Sequence, residues 1–161
     1  MNDGLGKTAE KKIKEWLDRP EEGYDFNRLP DQMTGFYGSK NICDFTLYKN
    51  PYMFYIESKS TYEDRFPWSY ITDNQFTKML EKSKIDGVFS VVIVLFASYK
   101  RAFMFNISDI RDQLKSGKHS INIKKIDKWT IPYVEIPTVD NSRKHFLDYR
   151  GSFVELVLNL R

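Results

Sequence analysis

Residues 87–97, GVFSVVIVLFA, leave this chain few ways to fold. The run is almost continuously apolar and rich in β-branched side chains, the pattern of a strand covered on both faces. Such a strand needs neighbouring strands and a layer of structure on each side. The flanking sequence can supply both. Residues 99–105 follow as a second strand, with Lys100-Arg101 at the turn. Before the run, Thr72 begins a helix with Phe76, Met79 and Leu80 on its apolar side, ending near Asp86-Gly87. Near the N-terminus Ala9, Ile13, Trp16 and Leu17 recur at helical spacing, with Thr8 as the expected N-cap and Pro20 as the stop. Ser108 is expected to cap a short helix through Leu114. With a strand hairpin between the first two helices, this order predicts an α/β fold, a mixed central sheet flanked by helices.

The other segments are less regular. Residues 20–40 are rich in Gly, Pro, Asn and Asp and read as a connection with one short strand, around residues 24–29. Within it, Gly35-Phe36-Tyr37-Gly38 is either an aromatic loop able to stack on unpaired bases or packing beneath the hairpin. Residues 116–128 read as basic surface structure, and 129–139, with two prolines, as an extended wrap. Residues 142–160 predict a helical C-terminal extension, beginning near 140 and broken at Gly151. The length of 161 residues suits one domain spanning 1–161.

No apolar run approaches the roughly 18 residues of a membrane helix, and the first residues lack a signal-peptide core. A cytoplasmic protein without a membrane partner is expected. Cys43 is the sole cysteine, and His119 and His145 lie far apart, so neither a disulfide framework nor a Cys- or His-based metal centre is expected. Net charge is only +3, but residues 100–129 hold eight Lys or Arg against three Asp. That local excess suits a phosphate backbone as well as it suits a solvated surface.

The hairpin carries the chemistry. Asp44 is on its first strand, the chain reverses at Lys49-Asn50-Pro51, and Glu57-Ser58-Lys59 lies near the end of its second. Side chains alternate along a strand, so Tyr55, Glu57 and Lys59 share a face. If the chain folds back between Asn50 and Pro51, position 44 stands opposite position 57, with Cβ atoms roughly 4.5–5.5 Å apart. Two carboxylates so placed repel unless a cation lies between them, and the Lys59 ammonium arrives on the same face. Competing with this metal site is a solvated edge hairpin, since Glu-x-Lys also occurs at Glu10-Lys11-Lys12. Proline also excludes the favoured two-residue turns, so a wider loop with a shifted register competes too. Glu10, at the border of the first helix's apolar stripe, reads by itself as a first-turn acid favouring the helix dipole. Gln75, in the first turn of its helix, is a surface residue unless it faces the carboxylates, where it could orient a water or a phosphate.

Asp44 followed by Glu57-Ser58-Lys59 in this layout resembles the PD-(D/E)xK nuclease superfamily, and within it the RecU-type Holliday junction resolvases. Further stretches share the likeness. Gly6-Lys7-Thr8-Ala9-Glu10 resembles the start of that family's first helix, where a glutamate joins the site. The interval from Asp44 to Glu57 matches, and Phe66-Pro67 with Gln75 resembles the family's Phe-Pro…Gln helix entry. The likeness covers about residues 6–137. Two features depart from it. Family members carry a longer basic tail and a protruding stalk, whereas residues 25–41 could form only a short stalk or loop. Cys43 stands where the family often has threonine. A compact relative in a bacterial cell, such as a phage-encoded version, fits this pattern.

The resemblance implies a restriction-endonuclease-like core and hydrolysis of four-way DNA junctions by a twofold homodimer. It implies Mg²⁺, with Mn²⁺ able to substitute, held by Asp44, Glu57 and a carbonyl near Ser58. The ion would polarise the phosphodiester and activate a water. Lys59 would either help deprotonate that water or stabilise charge on the phosphate, the second being favoured because a lysine base requires a much lowered pKa. Gln75 would steady that phosphate, and Glu10 would take a second ion or position a water. Arg65, Lys100 and Arg101 are candidate contacts to the DNA backbone. The rival readings are a protein that grips branched or single-stranded DNA without cutting it, and a nuclease of other substrate preference.

Overall fold

The computed structural model describes residues 3–30, 41–137 and 149–160. The continuous apolar run becomes β5 (Val88–Phe96), at the heart of a six-stranded sheet. Its neighbours are β3 (Tyr52–Thr61), parallel to it, and β6 (Arg101–Asn106), antiparallel. Beyond β3 lie β2 (Phe45–Lys49) and the edge strand β1 (Asp25–Arg28); beyond β6 lies β8 (Val134–Ile136). Every pairing but β3–β5 is antiparallel, so the sheet is mixed as expected. The parallel step requires a crossover. It is supplied by β4 (Arg65–Pro67), a 3₁₀ turn and helix α2 (Asp73–Ser83).

Alternation along β5 divides the core in two. Phe89, Val91, Ile93 and Leu95 face helices α1 (Asp3–Leu17) and α4 (Phe153–Leu158), packing with Ile13, Trp16, Phe153 and Val157. Val92, Val94 and Phe96 face α2 and α3 (Ile107–Lys115), meeting Met79, Ile107 and Ile110. On that second side β4 pairs with β7 (Ser120–Asn122) in a small separate sheet that lays Phe66 and Ile121 on the core. Both faces of β5 are therefore dry. No helix among the described residues is long and apolar enough to cross a membrane.

Several local expectations need correction. Helix α1 begins at Asp3, and Thr8 lies inside it, its hydroxyl donating to the Gly4 carbonyl. Leu5 and Ala9 are buried in the core, and that packing carries the helix through the glycines. Helix α3 starts at Ile107 with Asn106 at its N-cap, two residues before the expected Ser108 cap. Residues 129–139 contribute β8, tied to β6 by backbone pairing that no local pattern announces. The described part of the C-terminus holds only the six-residue α4, while residues 138–148 lie outside the described residues. Of the expected stalk, Asp25–Arg28 is a strand of the main sheet, and 31–40, with the Gly35–Gly38 loop, lies outside the described residues.

Candidate active site

The β2–β3 hairpin turns at Asn50-Pro51, joined by a cis peptide bond, with Lys49 paired to Tyr52. Counting back, the pairing ends at Phe45 with Ile56, so Asp44, expected on the first strand, lies one residue before it, where its side chain still meets the Glu57 carboxyl. Phe45 and Ile56 point to the α1 face, whereas Tyr55 and Leu29 pack into the α2 side. Glu57 and Lys59 consequently share the α2 face, and Asp44 meets Glu57 there.

Glu57 is 2% exposed. Burial alone favours its neutral form, and the negative Asp44 beside it acts in the same direction. Lys59 opposes them only in part, so the Glu57 carboxyl titrates well above the usual range. The Lys59 Nζ lies 3.4 Å from Glu57 Oε1, and Asp44 is fixed from behind by the Ser58 backbone N–H, which donates to its Oδ2 at 2.8 Å.

Gln75 closes the arrangement. Its Nε2 donates to Glu57 Oε2 at 2.9 Å, and its Oε1 accepts from Lys59 Nζ at 3.4 Å and from the Thr72 backbone N–H at 3.3 Å. Thr72 Oγ1 in turn accepts from the Gln75 N–H at 3.2 Å. This is a reciprocal capping box. The start of α2 thus holds a side chain that touches both Glu57 and Lys59. The Thr72-x-x-Gln75 spacing was visible in the sequence as a capping signal, but Thr72's part in positioning Gln75 was not read from it. Cys43 borders the site. Its thiol is buried, donates to the Phe45 carbonyl at 3.1 Å, and is pushed up to about 12, chiefly by burial.

Other expected site residues lie apart. Glu10 is across the sheet on the α1 face, where Arg28 Nη2 donates to its Oε2 at 2.7 Å; Arg28 is the β1 partner of Phe45. The helix border position said nothing about which face of the sheet α1 would cover. Among the described residues no third His, Cys, Asp or Glu completes a metal-holding group with Asp44 and Glu57. Arg101 makes a two-pronged pair with Glu135 at 2.6 and 2.9 Å, so its guanidinium is largely committed. Lys100 is exposed in a left-handed conformation at the β5–β6 turn. Arg65 is exposed on β4, its Nε donating to Ser120 Oγ at 2.8 Å.

A buried, protonated-leaning Glu opposed by an Asp, with an ammonium and an amide around them, is suited to holding a hard cation and to meeting an anionic substrate. The sequence model of a family described as RecU, Recombination protein U, matches residues 25–152. No curated protein matches the chain. Among solved structures, the chain is similar to Archaeoglobus fulgidus Hjc, described as a Holliday junction resolvase from an archaeal hyperthermophile. That match has 15% identity and a TM-score of 0.46, over 65% of this chain and 79% of the other.

Proposed function

This chain belongs to the RecU family, and from that membership we propose that it is an endonuclease cutting four-way DNA junctions, with Mg²⁺ or Mn²⁺ as its ion. The observation that carries the reading is the Asp44–Glu57 pair, brought together where Asp44 enters β2 beside β3, with Lys59 and Gln75 around Glu57. Two carboxylates this close, one of them buried, fit a divalent cation better than they fit each other. Mg²⁺ characteristically takes one or two carboxylates and keeps several waters, so two acidic residues suffice. Bound there, the ion would supply the charge that polarises the scissile phosphodiester.

The remaining work belongs to the chain. Asp44 and Glu57 hold the ion, and the carbonyl near Ser58 is the proposed third protein ligand. Lys59 offers its ammonium to the charge that develops on the phosphate during in-line hydrolysis. Gln75 keeps Glu57 and Lys59 in register and is a positioning residue that steadies the scissile phosphate through them. Glu10, held by Arg28 on the other face, is given no part in this chemistry. Arg65 and Lys100 are proposed to touch the DNA backbone. Arg101 could do so only by releasing Glu135. Two symmetric cuts in a junction call for a twofold pair of chains, working in the bacterial cytoplasm.

The test is incubation of the protein with a labelled synthetic four-way junction, the matching duplex and a single strand, in Mg²⁺ or in EDTA. Paired nicks in the junction, dependent on the ion, are expected. Retention of DNA without nicks under every condition would leave a binding protein in place of an enzyme. Asp44→Asn should still bind the junction and fail to cut it; loss of both would contradict the role given to Asp44.

A further inference from the structure

On the same side of the sheet as the carboxylate pair, β4, β7 and the following 3₁₀ segment enclose a cleft of about 370 Å³. Its lining includes Arg65, Lys118, Lys125, Lys128 and Trp129, and no acidic residue. Among the described residues none of these four cations has a carboxylate partner. Arg65 and Lys118 bond only hydroxyls, those of Ser120 and Thr130, and Lys118 reaches Thr130 Oγ1 at 2.6 Å. The nearby Asp64 is already engaged by Lys124 at 3.0 Å and by the Tyr99 hydroxyl. Trp129 forms a fixed wall: its Nε1 donates to the Asn122 carbonyl at 2.9 Å, and its ring packs edge-on against Phe103 and Tyr133.

Four like charges gathered around a concave surface repel one another, and each remains hydrated unless an anion arrives. Hydroxyl partners hold the side chains in place without neutralising them. A backbone of closely spaced phosphates is an anion that several such cations can meet at once. We infer that this cleft grips the sugar-phosphate backbone of a DNA arm leaving the junction, as a binding site separate from the Asp44–Glu57 centre. The inference rests on the junction-cutting reading, and it assigns sequence-independent affinity to the cleft. Arg65 thereby becomes part of an arm site rather than a contact at the scissile phosphate.

The experiment uses the full chain in EDTA, with binding to fluorescent four-way junctions measured over a range of salt concentrations. One junction has long arms and another has arms trimmed to the branch region. The variants are Lys118→Ala/Lys125→Ala/Lys128→Ala and the corresponding triple arginine change. On long arms the alanine variant should bind at least about tenfold more weakly, with a log-log salt slope shallower by about 2–3. The arginine variant should keep both affinity and slope, and on the trimmed junction all three proteins should converge. An unchanged slope, or an equal loss on trimmed arms, would overturn the arm assignment while leaving the nuclease reading intact. Failure of the unmodified protein to bind any junction would overturn both. Should the alanine variant not fold, lysine acetylation of the unmodified protein decides: Lys118, Lys125 and Lys128 are expected to be protected by the long-armed junction, and their full reactivity would refute the site.

Discussion

At Glu57, burial and the neighbouring Asp44 both favour the protonated carboxyl, and this sets how the metal-free protein responds to pH. The folded state holds that proton more tightly than the unfolded chain does. Between the ordinary glutamate value and the raised folded value, the native state therefore carries more bound protons, and stability falls as pH rises. Melting curves in EDTA should show that decline for the unmodified protein. Glu57→Gln, which keeps the amide-sized shape but cannot ionise, should flatten it; an unaltered slope would mean that Glu57 is not the group responsible. Gln75 offers a second residue-level test. It bonds Glu57 and Lys59 together, so Gln75→Ala should reduce cleavage by roughly 10–100-fold, as loss of a group that orients a ligand commonly does. Junction affinity in EDTA should change little, and an equal loss of affinity would point to a DNA contact instead.

The same amide belongs to the first turn of α2, where the secondary structure and the site share atoms. Thr72→Ala removes the cap that fixes Gln75, at a cost of about 1 kcal/mol, or roughly 2–4 °C in melting temperature. Cleavage should fall through kcat rather than KM, and Thr72→Ser should restore both; a stability loss with kcat intact would limit Thr72 to the helix. Elements of this kind were the legible part of the sequence. The dry run at 88–96 demanded a covered central strand, and counting from the Asn50-Pro51 turn brought 44 to 57, because pairing register follows directly from where a hairpin folds back. What stayed hidden was set by distant packing. Glu10 depends on which face of the sheet α1 covers, and Arg101 depends on Glu135, 34 positions away, which only the β6–β8 pairing brings alongside. The start of α1 was misread for the same reason, since Leu5 and Ala9 are held by the core rather than by propensity.

Across the whole molecule, the position of Glu57 would tie the proposed ion to global stability. Glu57 lies in β3, paired with β5 on one side and met by Asp44 on the other, with core beneath and α2 above. That strand cannot open by itself without breaking the sheet, so an ion bound there would stabilise the cooperative core as a whole rather than a local segment. At one hundred times its dissociation constant, an ion bound only by the native state adds about 2.7 kcal/mol. For a chain of this length that corresponds to a rise in melting temperature of roughly 5–11 °C. Binding must also expel the Glu57 proton, so the rise produced by Mg²⁺ over EDTA should be small near pH 5 and should grow as pH increases. Asp44→Asn should abolish it at every pH. A Mg²⁺-induced rise that persists undiminished in Asp44→Asn would locate the ion elsewhere on the protein and remove the physical basis for a metal centre between β2 and β3.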